Sequence, residues 1–188
     1  MREESSIITI VDTELENLPS RINFLRDFPE SRISDRVLGP YRPGQDVELP
    51  FWISNHLVQM GYAKFREEDQ LSLNTLSTTH YKETLPGSRT IPKLPRTFYF
   101  HLRRLLKELK AHEAKDRAKA RDLDKALALA RDIVNIRVKK IASLGASGEQ
   151  TSDVTSNLTI EEVTLYENIR KEVDVWRKEI LGREVIEN

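Results

Sequence analysis

The sequence predicts an α+β chain in which a small β-rich domain precedes an α-helical bundle. The first observation is a β-branched run at residues 7–11, which is typical of a strand. The second is a turn-rich segment, residues 39–44, with two prolines and two glycines. The third is a set of apolar stripes after residue 95, spaced alternately by three and four residues, which is the pattern of packed helices.

These patterns divide the 188 residues into three parts. We predict a small β-rich domain over 1–65, a short helix and linker over 66–95, and an α-helical domain over 96–188. The change from a period of two to a period of about 3.6 residues sets the boundary between the outer parts.

The best-defined part of the β-rich domain is a strand, turn, strand, helix, strand unit over 36–65. Asp46–Leu49 alternates polar and apolar residues, as a half-buried strand does. Pro50 suits the first turn of a helix that offers a broad apolar surface including Trp52, and Gly61 ends that helix. Residues 12–31, which contain two prolines, carry no clear assignment.

The helical domain is predicted to contain three long helices. The first covers about 96–113, the second about 118–144, and the third begins at Thr159 with the capping-box pattern Thr159-x-x-Glu162. A Ser/Thr/Pro/Gly-rich stretch from Thr78 to Pro95 is interpreted as a linker, and residues 145–158 as a loop.

Charge is balanced overall but unevenly distributed. Lys plus Arg and Asp plus Glu both total 30, so the net charge is zero. Residues 93–140 hold 15 basic and 6 acidic side chains, whereas residues 141–188 hold 5 basic and 10 acidic ones. Two interpretations stay open: complementary charges between helices of one chain, or a basic surface that attracts an acidic protein or a phosphate backbone.

The sequence carries no pattern typical of an enzyme, and we predict none. It has no cysteine, which excludes disulfides and thiolate chemistry, and its Gly145–Gly148 segment lacks the lysine of a phosphate-binding loop. Four histidines, at positions 56, 80, 101 and 112, have no metal-ligand spacing. We assign no catalytic, cofactor-binding or metal-binding residue. With neither a signal-peptide pattern nor an apolar run of membrane length, we expect a cytoplasmic protein.

Arg137 is the unusual residue of the second helical stripe. It lies between Val134 and Ile141 in a stripe that is otherwise apolar from Leu123 to Leu144. One interpretation is that its head group reaches solvent past its own stem. The other is a buried pair with a carboxylate, within the helical domain or across a subunit boundary, that fixes helix register or subunit choice.

A basic helical nucleic-acid-binding protein is the alternative function. Residues 93–107 interleave basic side chains with Phe98, Tyr99 and Phe100. Because these aromatic residues fall mainly on the core side of the predicted helix, base stacking is disfavoured.

Three segments of the β-rich domain resemble the B domain of GINS subunits. They are the Gly-Pro-aromatic turn at 39–44, the acidic-apolar-Pro segment leading to a Trp-bearing helix at 47–53, and the helix end and strand at 57–65. Residues 94–106 resemble the entry into the GINS A domain, and residues 132–141 resemble the long helix of that domain. The resemblance covers about residues 33–145, in the order of the Psf-two and Psf-three type subunits and their single archaeal counterpart.

The resemblance implies a non-catalytic structural subunit of the GINS complex, of the archaeal version. Implied partners are other GINS subunits in a tetramer, the Mcm helicase and a RecJ-like replication protein, with direct DNA binding left open and no membrane partner. The implied location is the cytoplasm at the nucleoid, or the nucleus in a eukaryote. We expect eight residues to serve the subunit interface or the structure: Leu105, Leu109, Arg137, Ile141, Tyr166, Trp176, Pro50 and Trp52.

Overall fold

The computed structural model describes residues 13, 15–33, 36–66, 70–85, 91–113, 117–147 and 155–182. The predicted strand at residues 7–11 lies outside these ranges. The chain divides into two units, Met1–Gln70 and Leu71–Asn188. The predicted α+β class, with β structure first and a helical bundle second, is confirmed.

The described part of the first unit contains a three-stranded antiparallel sheet, a two-stranded antiparallel sheet and a helix. Its elements are β1 (Pro19–Phe24), β2 (Ser31–Ile33), β3 (Arg36–Leu38), β4 (Asp46–Pro50), α1 (Phe51–Gln59) and β5 (Ala63–Phe65). β1 lies in the middle of the sheet, between β4 and β5, while β2 pairs with β3.

The central strand β1 is the element that the sequence interpretation left unassigned. Pro19 opens it, a position at which a strand tolerates the missing N–H of proline. Ile22 and Phe24 alternate with polar residues and are completely buried. This period-two pattern spans only a few residues, which explains why it was missed.

Helix α1 follows β4 directly and packs on the sheet through Phe51, Ile53 and Leu57. Pro50 is its N-cap residue, and Gly61 follows the helix with a φ of 75°. Trp52, by contrast, is 40% exposed, so the apolar surface predicted for this helix is only partly buried.

The second unit consists of helices α2 (Leu73–Thr84), α3 (Phe98–Glu113), α4 (Arg117–Ser147) and α5 (Ile160–Leu181) in its described part. The three long helices agree with the predicted ones to within about three residues at each end. Thr159 and Glu162 form the predicted capping box, and Gly182 follows the last turn.

The predicted linker from Thr78 to Pro95 is wrong over its first part, because residues 78–84 belong to α2. Ser72 caps this helix by accepting a hydrogen bond from the Thr75 N–H at 3.1 Å. Hydroxyl groups inside the helix bond to carbonyls four residues earlier, as Thr78 does to Asn74 at 3.0 Å. The polar composition that resembles a linker is therefore compatible with a helix, which is anchored by the buried Leu76.

Gly145 belongs to the interior of α4 and does not end it. The predicted loop at 145–158 is therefore wrong for residues 145–147, which belong to α4. A Cβ at Gly145 would lie 3.0 Å from Cγ2 of Ile169 on α5. The glycine lets the two helices approach closely.

Two apolar clusters form the core of the helical unit. The larger one joins α2, α3 and α4, and the smaller one joins α4, α5 and the segment before α3. The buried residues of α4 are Leu123, Ala126, Ala130, Ile133, Arg137, Ile141 and Gly145. The predicted stripe is thus rotated slightly, since Ile133 is buried where Val134 was expected, and Val134 is 37% exposed.

The close approach at Gly145 leads to a stability prediction. Gly145→Val should destabilise the chain by about 1–3 kcal/mol, because the added isopropyl group must displace Ile169. Ala128→Val, at an exposed position of the same helix, should cost no more than about 0.7 kcal/mol. Urea unfolding of both variants measures the difference, and equal midpoints would contradict the close packing of α4 on α5.

Candidate functional site

The candidate site is a buried ion-pair centre around Arg137, between the two apolar clusters of the helical unit. The Arg137 side chain is completely buried. Its Nε donates to Oε1 of Glu162 at 2.5 Å, and its Nη2 donates to Oε2 of the same carboxylate at 2.7 Å. This is the two-pronged geometry that a guanidinium offers and an ammonium does not.

The remaining donors of Arg137 are also used. Nη1 donates to Oε1 of Glu83 at 2.5 Å and to the Pro92 carbonyl at 2.9 Å. Nη2 reaches the Asn157 carbonyl at 3.3 Å. Five N–H groups thus meet five acceptors, so no donor of the buried guanidinium is left without a partner.

Glu83 is shared between two cations. It is 3% exposed, and its second oxygen, Oε2, accepts a hydrogen bond from Nζ of Lys140 at 2.9 Å. Lys140 also donates to the Glu83 carbonyl at 3.3 Å. Because Lys140 is one turn from Arg137 on α4, the two side chains hold the end of α2 against this helix.

Glu162 connects the capping box to the ion-pair centre. Its Oε2 accepts a hydrogen bond from the Thr159 N–H at 3.0 Å, and its own N–H donates to the Thr159 hydroxyl at 3.3 Å. Its Oε1 accepts a hydrogen bond from the Tyr99 hydroxyl of α3 at 2.7 Å. One carboxylate therefore caps α5, pairs with α4 and binds α3.

The electrostatics of the centre are balanced. Two cations, Arg137 and Lys140, face two carboxylates, Glu83 and Glu162. Burial lowers the pKa of Arg137, but the hydrogen bonds and charges of Glu162 and Glu83 outweigh that effect and raise it above its ordinary value. Burial, assisted by the charge and the hydrogen bond of Glu162, raises the pKa of Tyr99. Arg137 and Tyr99 thus both stay protonated in the folded chain.

A second ion pair joins α3 to α5 beside the centre. Nη2 of Arg103 lies 3.4 Å from Oε1 of Glu161, whose side chain is 12% exposed. The next residue of α3, Arg104, is partly buried, and burial lowers its pKa to about 10 against the opposing charge of Glu108. The beginnings of α3 and α5 are therefore held by charge as well as by apolar contact.

The geometry favours a structural role for this site. Its polar atoms bind one another, and they tie α2, α3, α4 and α5 together at one level of the bundle. Within the described ranges, no group of three or more His, Asp or Glu side chains is placed to hold a metal ion. None of the described helices combines the length and the apolar character needed to cross a membrane.

The predicted site residues fall into two groups. Arg137 and Ile141 are completely buried, and Leu109 and Tyr166 are also core residues, while Leu105 packs at the edge of the larger cluster. Trp176, in contrast, is 62% exposed near the end of α5. Pro50 and Trp52 belong to the other unit. As subunit-interface residues, all eight stay a prediction.

Sequence reasoning missed both carboxylates that pair with Arg137. Glu162 was assigned only to helix capping, and Glu83 lay in the predicted linker. A signal existed for Glu162, since a capping-box glutamate directly before an apolar stripe sits at the edge of the core. Glu83, 54 residues from Arg137, had no comparable signal.

Loss of the Arg137 side chain should be strongly destabilising. Arg137→Ala leaves two carboxylates in a buried site with one fewer cation, so we expect a cost of about 3–5 kcal/mol. Arg137→Lys keeps the charge but not the two-pronged contact, and should recover only part of the stability. Urea unfolding of each variant measures these differences. Arg131→Ala, on the exposed side of α4, is the control and should change stability by no more than about 0.5 kcal/mol.

The raised pKa of Tyr99 predicts a loss of stability at alkaline pH. In the unfolded chain this tyrosine ionises near pH 10, whereas in the folded chain it keeps its proton. Above about pH 10 the unfolded state then binds fewer protons, so the free energy of unfolding falls as pH rises. Between about pH 9.5 and 11, wild type should lose stability more steeply than Tyr99→Phe.

The matched control for this comparison is Tyr81→Phe, because Tyr81 is 64% exposed. The free energy of unfolding of the Tyr81→Phe variant should change with pH in the same way as that of the wild type. If Tyr99→Phe also follows the wild-type curve, the hydroxyl of Tyr99 does not have the buried contact to Glu162.

Comparison with known protein families gives a match that covers the helical unit and the end of the first unit. Residues 52–181, more than half of the chain, match the family described as "Sld5: GINS complex protein helical bundle domain". The match includes α1 from its second residue, all of α2 to α5, and all four side chains of the ion-pair centre. No curated protein matches the chain significantly. The chain belongs to the family of GINS complex proteins with this helical bundle domain.

Proposed function

We propose that this chain is a non-catalytic structural subunit of the GINS complex, an accessory factor of the replicative Mcm helicase in the initiation and elongation of DNA replication. The observation that carries the proposal is the family match over residues 52–181. The buried centre supports it, because its ionisable groups bind one another and hold the bundle in one arrangement. A subunit that presents fixed surfaces to its neighbours needs this rigidity.

The order of the two units supports a finer assignment. The β-rich unit precedes the helical bundle, as in the Psf-two and Psf-three type subunits and their archaeal counterpart. We assign the chain to this type, and to the archaeal version because of its simple, charge-rich helices. The proposed assembly is a tetramer with other GINS subunits.

The further partners that follow from this assignment are the Mcm helicase and a RecJ-like replication protein. The chain would then act on chromosomal DNA, in the cytoplasm at the nucleoid. Exposed apolar side chains in both units are candidates for these contacts, among them Trp52 and Met60 in the first unit and Trp176 in the second.

The alternative of a nucleic-acid-binding protein loses two of its three interleaved aromatic residues. Phe98 is 2% exposed and belongs to the larger apolar cluster. The Tyr99 hydroxyl is bound to Glu162. Neither ring is therefore available to stack on bases, and we retain one proposed function.

Co-expression with the other GINS subunits of the same genome tests the proposal. We expect one complex that holds four subunits, measured by light scattering after size-exclusion chromatography. The complex should largely survive a salt increase from about 50 to 200 mM, a change that weakens phosphate contacts by orders of magnitude. A chain that elutes alone at every salt concentration would contradict the proposed assembly.

A further inference from the structure

The outward side of α3 carries basic side chains around one partly exposed aromatic ring. α3 packs into the larger apolar cluster through Phe98, Leu102 and Leu109, which are all buried. On a helical wheel, the opposite arc of about 120° holds a different set of residues: Phe100, Arg103, Arg104, Lys107, Lys110 and Ala111. This arc contains basic side chains and no acidic one, so the outward side of α3 is positive.

Arg96 extends this surface at the start of the helix. It lies in the turn directly before α3 and is exposed. Arg96, Phe100 and Arg104 follow one another at intervals of four residues, so the ring lies between two guanidinium groups along the helix. Lys107 and Lys110 continue the row, which spans about 21 Å from Arg96 to Lys110. We call these five residues the basic face of α3.

Carboxylates of the same chain border this face but lie outside its arc. Glu161 of α5 pairs with Arg103 at the margin of the face, with 3.4 Å between Nη2 and Oε1. Glu108 stabilises the charge of Arg104, but burial outweighs that effect and lowers the pKa of Arg104 to about 10. A guanidinium that burial has already stripped of part of its water gives up less hydration when it binds a further carboxylate.

The chemistry of the face favours an acidic protein segment over nucleic acid. Proteins that bind single strands without sequence preference use aromatic rings on which bases stack. The ring of Phe100 is partly buried, and its centroid lies 5.5 Å from that of His101 at an angle of 77°. A ring held in this way between two guanidinium groups fits an apolar side chain that is flanked by carboxylates. The spacing of four residues indicates that these groups lie on a helix.

We propose that the basic face of α3 binds an acidic helix of another protein, in which carboxylates flank an apolar side chain at intervals of four residues. The apolar side chain packs on Phe100, and the carboxylates pair with Arg96 and Arg104. Lys107 and Lys110 attract the approaching segment, which raises the association rate more than the affinity. The inference goes beyond the proposed function, because it depends on this chain alone and not on assembly with other GINS subunits.

A designed peptide serves as the probe for this face. It is a fluorescently labelled helix of about 20 residues whose central leucine is flanked by a glutamate four residues away on each side. The control peptide carries glutamine in place of each glutamate. The full chain should bind the acidic peptide at least about tenfold more tightly than the control, measured by fluorescence anisotropy. The difference should shrink as the salt concentration rises from about 50 to 200 mM.

Charge reversal locates the binding on the chain. The variant with Arg96→Glu and Lys107→Glu should raise the dissociation constant of the acidic peptide at least about tenfold. The matched control carries Lys64→Glu and Lys171→Glu, which change the net charge equally at exposed positions of β5 and α5. It should bind the peptide within about twofold of the wild type. All four replaced side chains are exposed, so both variants should keep the wild-type urea midpoint.

The apolar part of the contact is tested at Phe100. Phe100→Ala should weaken binding of the acidic peptide at least about tenfold, as expected for an aromatic side chain at the centre of a contact. Phe100→Leu keeps most of the apolar volume and should restore most of the binding. Because Phe100 is partly buried, urea unfolding of both variants accompanies the binding measurement.

Four outcomes would overturn the proposal. The two peptides bind equally, or the charge-reversed variant binds like the wild type. A thymidine oligonucleotide of about 20 nucleotides that binds this face more tightly than the acidic peptide would assign it to nucleic acid. An assembled GINS complex that no longer binds the peptide would show that another subunit covers the face, in which case the proposed function stands. A chain that binds the peptide but never assembles with GINS subunits would contradict only the proposed function.

Discussion

The fold of the helical unit depends on the contact between Arg137 and its two carboxylates. Burying a guanidinium requires that all of its donors be satisfied, and five acceptors do so here. These acceptors come from α2, α5 and the segments before α3 and α5. Each of these parts must therefore reach its place before the charge is compensated. The balanced charge of the centre, with Lys140 as the second cation, makes the arrangement possible in a desolvated site.

This dependence explains why a polar centre divides the apolar core. Apolar side chains alone would allow α4 to slide or rotate against its neighbours with little change in buried area. Arg137 stands between Ile133 and Ile141, so one helical register brings its guanidinium to Glu162 and Glu83. We infer that the centre contributes more to a unique arrangement than to stability, a role that buried ionic groups have in some other proteins. Gly145 also favours a unique arrangement of the helices, because it lets α5 approach α4 closely one turn after Ile141.

Sequence patterns predicted the elements of this centre better than the contacts between them. The spacing of α4 and the capping box of α5 depend on neighbouring residues, so the long helices and the Thr159–Glu162 pair could be predicted. The partner of Arg137 could not be named, since Glu83 is 54 residues away in a segment whose hydroxyl side chains resemble a linker. The buried face of α4 contains Ile133 instead of the predicted Val134, and this difference also arises from contacts between distant segments. Periodicity defines a face only to within about one residue, and the packing of α2 and α3 decides the rest.

The uneven distribution of charge along the chain is explained in part by the first of the two interpretations that the sequence left open. Part of it is satisfied inside the helical unit, where Arg137 meets Glu162 and Arg103 meets Glu161. These pairs join the basic middle of the chain to its acidic end and account for the first turn of α5. They do not account for the exposed Glu172 and Glu179 of α5, or for Arg131 on the exposed side of α4. Exposed charges beside exposed apolar side chains add little to the stability of a lone chain. A charged surface that recognises another molecule, the second interpretation, would use such exposed charges, because complementary charge fixes which surfaces meet and how they align.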